Sequence, residues 1–117
     1  MKIGRRTRVK TYNKLVRDNI PQIIQASGKQ FSSRVLNTAE YEIALKEKIQ
    51  EELNEFLEAG DQEEQLEELA DLLEVIYSFA HSKGIGREQM ELIRERKKDE
   101  RGGFYKRICL MNVFDHK

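Results

Sequence analysis

A chain of 117 residues is long enough for one domain and too short for two ordinary ones, and its 38% hydrophobic content sets it apart from disordered sequences despite 36% charged residues. No apolar run reaches the roughly 18–20 residues of a membrane span, and no apolar stretch follows the basic start MKIGRRTRVK to make a secretory signal. A single cysteine, Cys109, excludes an internal disulfide, and equal totals of 21 basic and 21 acidic residues exclude a strongly basic nucleic-acid binder, so a soluble cytoplasmic domain is expected.

The first eleven residues read as a basic, flexible segment. Asp18 and Asn19 are helix-capping types and Pro21 suits a first turn, which predicts a short helix from Asn19 to Ser27 stopped by Gly28. Residues 31–36 have the β-branched and aromatic character of a short strand, and 106–114, KRICLMNVF, is its expected partner in a two-stranded ribbon. Asn37 or Thr38 caps a long helix ending at Gly60, with Asn37 and Glu40 at capping-box spacing. Asp61 and Glu64 repeat that spacing at the start of a second long helix, which Gly84 ends. A third begins near Gly86–Arg87 and stops before Gly102–Gly103. The fold class is therefore all-α, an antiparallel helical bundle with a small ribbon in which Cys109 is a small buried hydrophobe.

At about 100° per residue, Tyr41, Leu45, Ile49, Leu53, Phe56 and Leu57 form one apolar arc of the first long helix. Glu52 projects inside that arc and Glu55 at its edge, whereas Glu51 falls on the wetter face. In the second long helix Glu68 projects among apolar neighbours and Asp71 lies at the rim. A buried carboxylate without a partner costs several kcal/mol, and between residues 40 and 74 only Lys46 and Lys48 are basic. A hard divalent cation such as Mg²⁺ would relieve both the burial and the mutual repulsion, since it prefers oxygen ligands. The i, i+3 spacing lets two carboxylates of one helix face a common ion. Acidic runs on amphipathic helices are more often plain solvated faces; two such pairs on consecutive helices, both at the apolar border, make a metal site an equal contender.

The order of the charges adds to this. Residues 1–39 carry a net of +8, residues 40–74 a net of −12 and residues 75–107 a net of +4.

Glu51-Glu52-Leu53-Asn54-Glu55, twelve intervening residues, then Glu68-Leu69-Ala70-Asp71 resembles the EExxE…ExxD signature of the MazG-like all-α NTP pyrophosphohydrolases. The segments Tyr12–Pro21 and Lys98–Phe104 are similar to a phosphoribosyl-ATP pyrophosphohydrolase-like subgroup, so that the resemblance spans about residues 12–110. It implies one MazG-like domain over 1–117, forming a homodimer or homotetramer. The implied reaction splits a nucleoside triphosphate between its α- and β-phosphates, with Mg²⁺ as cofactor and Mn²⁺ as a substitute. On that resemblance Glu52, Glu55, Glu68 and Asp71 hold the metal, and Glu51 and Glu52 are the catalytic candidates. Glu51 is open to three roles: direct ligand, base orienting the attacking water, or support for the ligands. Lys14, Arg17, Lys98 and Arg101 are then the candidate phosphate contacts, against the ordinary reading of basic residues near helix ends as dipole partners.

Tyr12 and Phe104 are open to base stacking or to a core or lid role, and His81 and His116 lack metal-ligand spacing. The substrate stays open among ordinary, deoxy and damaged nucleotides and phosphoribosyl-ATP. Two other readings compete: a non-catalytic helical oligomerisation module, favoured by apolar arcs too broad for one small chain to cover, and nucleic-acid binding through Lys2–Lys10, which the central acidic block opposes.

Overall fold

The computed structural model describes residues 9–115, and the histidine at 116 and most of the basic start lie outside them. Four helices follow one another: α1 (Ile20–Ala26), α2 (Thr38–Glu58), α3 (Gln62–Ser82) and α4 (Arg87–Arg101). The all-helical expectation holds, with no strand among the described residues.

Local chemistry sets the ends of each helix. Asn37 Oδ1 accepts from the Glu40 N–H at 2.9 Å while Glu40 Oε1 accepts from the Asn37 N–H at 3.2 Å, completing the capping box of α2. Arg34 grips the same Glu40 carboxylate with both terminal nitrogens, at 3.1 and 2.9 Å. At α3 the reciprocal bond is displaced by one residue. Asp61 Oδ1 accepts from the Glu64 N–H at 2.8 Å, but Glu64 Oε2 accepts from the Gly60 N–H at 3.1 Å. The chain therefore leaves α2 at Ala59, which is extended (φ −61, ψ 131), so that the last helical residue, Glu58, stands two residues before Gly60. Gly84 closes α3 at φ +78, with the Gly84 N–H on the His81 carbonyl at 2.9 Å and the Ile85 N–H on that of Ala80 at 2.9 Å. That left-handed turn suits glycine because a Cβ would be strained there.

α2 and α3 are antiparallel neighbours. Their far ends are joined by Lys83, which donates to Glu42 Oε2 at 2.7 Å. Lys46 and Lys83 also sit over the Phe79 ring, 5.9 and 5.8 Å from its centroid. The buried residues between the two helices are Leu45, Val75 and Ala80, with Glu52 among them. α4 touches α3 near its start, where the Tyr77 hydroxyl donates to Glu91 Oε1 at 3.0 Å. From Leu92 onward every residue of α4 is exposed.

The predicted ribbon is absent: neither 31–36 nor 106–114 forms a strand. A strand needs a partner for its backbone groups. Arg107, at φ +61, donates its N–H to the Phe104 carbonyl at 3.3 Å, so a turn stands at the head of this segment, and every residue of 106–114 is exposed. Cys109, expected buried, is exposed on that tail.

The consequence is a chain with much more surface than a compact monomer. It exposes 11511 Å², whereas a compact monomer of this mass exposes about 6,600 Å². Its radius of gyration is 21.0 Å, against about 13 Å for a compact chain of this length. No described helix is long and apolar enough to cross a membrane.

With so small a core, its best-buried member carries a large share of stability. Leu45→Ala should cost about 2–5 kcal/mol and Asn37→Ala about 1 kcal/mol through loss of the cap, read as falls in the urea midpoint at fixed protein concentration.

Candidate functional site

Glu51, Glu52 and Glu55 lie in the second half of α2, and Glu68 and Asp71 in the first half of α3. Antiparallel packing brings these two stretches level. One carboxylate oxygen from each of Glu52, Glu68 and Asp71 lies within 4.8 Å of the others, and the same holds for Glu51, Glu52 and Glu55. Glu52 belongs to both triads and is only 6% exposed. Glu52 Oε2 and Glu68 Oε2 are buried without a hydrogen-bond partner. Leaving such an acceptor unsatisfied costs about 1–3 kcal/mol, more when it is charged.

Two of the four predicted phosphate contacts reach this cluster. Arg17 donates to Asp71 Oδ1 at 2.6 Å and Lys14 to Glu51 Oε1 at 3.2 Å. The segment leading into α1 is thereby strapped across α2 and α3, although α1 itself packs on no other helix. The other two, Lys98 and Arg101, stay apart. They lie on the diverging part of α4, where the Lys98 ammonium sits 5.6 Å from the Tyr105 ring centroid, and neither is ion-paired among the described residues. Tyr12 flanks the site with Lys10 and Lys14 over its ring at 5.1 and 5.7 Å; Phe104 is 97% exposed on the tail. His81 is exposed in the last turn of α3.

Lys48 is a member of the site that the sequence reading passed over. Its ammonium lies 3.3 Å from Glu51 Oε2 and 3.5 Å from Glu52 Oε1. The signal was present, because Glu51 and Glu52 stand three and four residues beyond it on the same helix. Glu51 in turn is drier than its helical projection suggested: its side chain is 31% exposed and held between Lys14 and Lys48. Glu55 is exposed at the cluster's edge.

The electrostatics separate these acids. Burial pushes the Glu52 carboxyl up to about 7, with the neighbouring Glu55 and Asp71 carboxyls adding to the shift and Lys48 opposing it. Glu68 is raised by burial and by the same two neighbours. For Glu51 burial acts upward too, but Lys14 and Lys48 together outweigh it and hold the group below the usual range. Protonation can ease part of the strain at Glu52, yet two orphaned oxygens among five crowded carboxylates match the all-oxygen donor set of a hard divalent ion. The residues fit such an ion.

The family model described as phosphoribosyl-ATP pyrophosphohydrolase matches residues 20–98. No curated protein and no solved structure gives a significant match.

The raised Glu52 carboxyl fixes a sign. A proton held more tightly in the folded than in the unfolded chain favours folding at low pH, and that benefit is lost as pH climbs from about 4.5 through about 7. In metal-free buffer, Glu52→Gln should therefore gain melting temperature relative to wild type between pH 5 and pH 8. Added Mg²⁺ should reverse the order at pH 8 by stabilising only wild type. A difference that stays constant across this range would contradict the shift.

Proposed function

The chain belongs to the phosphoribosyl-ATP pyrophosphohydrolase family, within the MazG-like all-α NTP pyrophosphohydrolases, and on that footing we propose a divalent-metal-dependent hydrolase that splits a nucleoside triphosphate between the α- and β-phosphates. The products are a nucleoside monophosphate and pyrophosphate. The observation that carries the metal-dependent reading is the pair of partnerless buried oxygens, Glu52 Oε2 and Glu68 Oε2, inside the carboxylate cluster.

Glu52, Glu55, Glu68 and Asp71 would hold Mg²⁺, or Mn²⁺ in its place. When bound, the ion supplies Lewis acidity toward phosphate oxygens and lowers the pKa of water. Glu51, kept ionised by Lys14 and Lys48, is a hydrogen-bond acceptor suited to orienting the attacking water. A carboxylate of depressed pKa is a weak base, so orientation is the larger part of that role. Lys14 and Arg17 have half-exposed ion pairs with Glu51 and Asp71. Such pairs are worth about 0–1 kcal/mol, so both side chains can turn from the carboxylates to incoming phosphates at little cost. Arg17 can then offer two parallel donors and Lys14 a point charge.

Assembly as a homodimer or homotetramer accompanies this reading, because the protomer leaves thousands of square ångströms more surface than a stable monomer would. A cellular role in clearing unwanted nucleotides fits the chemistry. The family's name sets phosphoribosyl-ATP beside ordinary, deoxy and damaged triphosphates as substrates to be compared.

Incubation with each of these in Mg²⁺ or Mn²⁺ should release pyrophosphate from at least one, and chelation should stop the release. Glu52→Gln and Asp71→Asn should lower kcat/KM roughly 100-fold or more, as loss of several kcal/mol of charge stabilisation requires, with helical circular dichroism unchanged. Full activity in both variants would overturn the metal assignment.

A further inference from the structure

Beyond the Tyr77–Glu91 contact α4 leaves the hairpin, and its exit carries with it the whole chain from 102 to 115, every residue of which is exposed. This arm lies past residue 98, where the match to the family model ends. It is strongly apolar: Phe104, Ile108, Leu110, Met111, Val113 and Phe114 are each 77–97% exposed. A second apolar face is uncovered on the α2–α3 hairpin, where Ile43, Leu57, Leu66, Leu69 and Leu73 are 42–68% exposed. Large apolar side chains left this exposed in such number mark contact sites. The excess of the chain's 11511 Å² over the ~6,600 Å² of a compact monomer is more than the ~1,000–2,500 Å² that each subunit contributes to an obligate interface.

Charge identifies what the arm meets. Lys98, Arg101, Lys106 and Arg107 cluster around its root, whereas the hairpin holds most of the −12 block. The carboxylate cluster counts five acids against three cations, Lys14, Arg17 and Lys48. One divalent ion brings that set to neutrality and two make it +2, while a triphosphate brings about four negative charges. Two to four negative charges thus lack a cation within the protomer. Open surface depressions of about 460 and 340 Å³ are lined by Asp61–Glu63 with Leu66 and by Gln25 with Lys29–Phe31, away from the cluster. α4 is a continuous helix of 15 residues, about 22 Å long, and its divergence turns the arm away from its own hairpin.

We propose that the arm of residues 102–114 is exchanged between two copies of this chain, laying its apolar side chains on the α2–α3 hairpin of the second copy and delivering Lys98 and Arg101 to phosphates at that copy's carboxylate cluster. The delivery rests on the pyrophosphohydrolase reading; the docking does not.

Ile108→Asp/Met111→Asp tests the docking, with light scattering reading the mass and circular dichroism the helices. Wild type should be an oligomer and the double variant should fall toward the 13.8 kDa protomer with its helices kept. A chain cut after Gly103 should do the same. Either variant retaining the wild-type mass overturns the docking. For the delivery, Asp71→Asn is co-refolded with Lys98→Ala/Arg101→Ala, and sites for Mg²⁺ with α,β-methylene-ATP are counted by calorimetry. Each variant alone should lose at least about tenfold in affinity, the effect of one charge-assisted contact. The mixture should regain about one quarter of the wild-type sites, since half the pairs are mixed and each holds one intact site. No regain, or unimpaired binding in Lys98→Ala/Arg101→Ala, overturns the delivery. An arm that docks in a protein that binds no nucleotide analogue would uphold the docking while sinking the delivery together with the pyrophosphohydrolase reading.

Discussion

Glu52 occupies a position between α2 and α3 where packing alone would favour leucine, and it stands beside Leu45, Val75 and Ala80 as one of very few buried side chains. Its second oxygen has no partner, nor has that of Glu68 across the interface. Lys48 supplies one contact from a turn away, but a single ammonium shared with Glu51 cannot balance the group. The interface between the two long helices is thus held short of its own best stability. An apolar replacement would serve folding better, so the carboxylates make sense as a site that acquires its counter-charge from outside the chain.

The rest of the structure keeps that arrangement in place. The cap at Asn37, gripped from behind by Arg34, fixes where α2 begins. The Lys83–Glu42 pair fixes how the far ends of α2 and α3 meet. From the opposite side Lys14 and Arg17 draw the segment before α1 over the acids. These exposed pairs contribute little stability individually, which suits the exchange of partners proposed for Lys14 and Arg17. α4 is attached by less, the Tyr77–Glu91 bond and Arg87 over the Tyr77 ring, and its independence is what separates Lys98 and Arg101 from the cluster within one chain.

Helix positions and the acidic pairs were legible because their signals are local. Capping residues, stop glycines and i, i+3 spacings act over a single turn, and Asn37, Asp61, Gly84 and Gly102 all mark the ends they were expected to mark. Burial of Glu52 was legible from the arc into which it projects. What failed was tertiary. The apolar run 106–114 announced burial, and a strand paired within the chain was the simplest way to obtain it; instead a turn at Arg107 heads a segment that is exposed throughout. Glu51 was misjudged because a projection counts only its own helix, whereas Lys14 comes from 37 residues away. Lys48 was counted as one of only two cations in the acidic stretch, but its helical spacing to Glu51 and Glu52 was not used to place it in the site.

The connection between α2 and α3 is three residues, Ala59 to Asp61, and it is closed by the Glu64 carboxylate reaching back to the Gly60 N–H. So tight a join leaves no slack in the rotation of α3 about its axis. Inserting one residue within the first turns of α3 would swing Glu68 and Asp71 through about 100° and carry them off the face that Glu52 presents. Adding a full turn to each helix, about seven residues together, would restore both facing and level. The distance along the chain between the two acidic motifs is therefore free to drift only in helical steps, and length variation that ignores this period should be found in the arm or before α1, not in the hairpin.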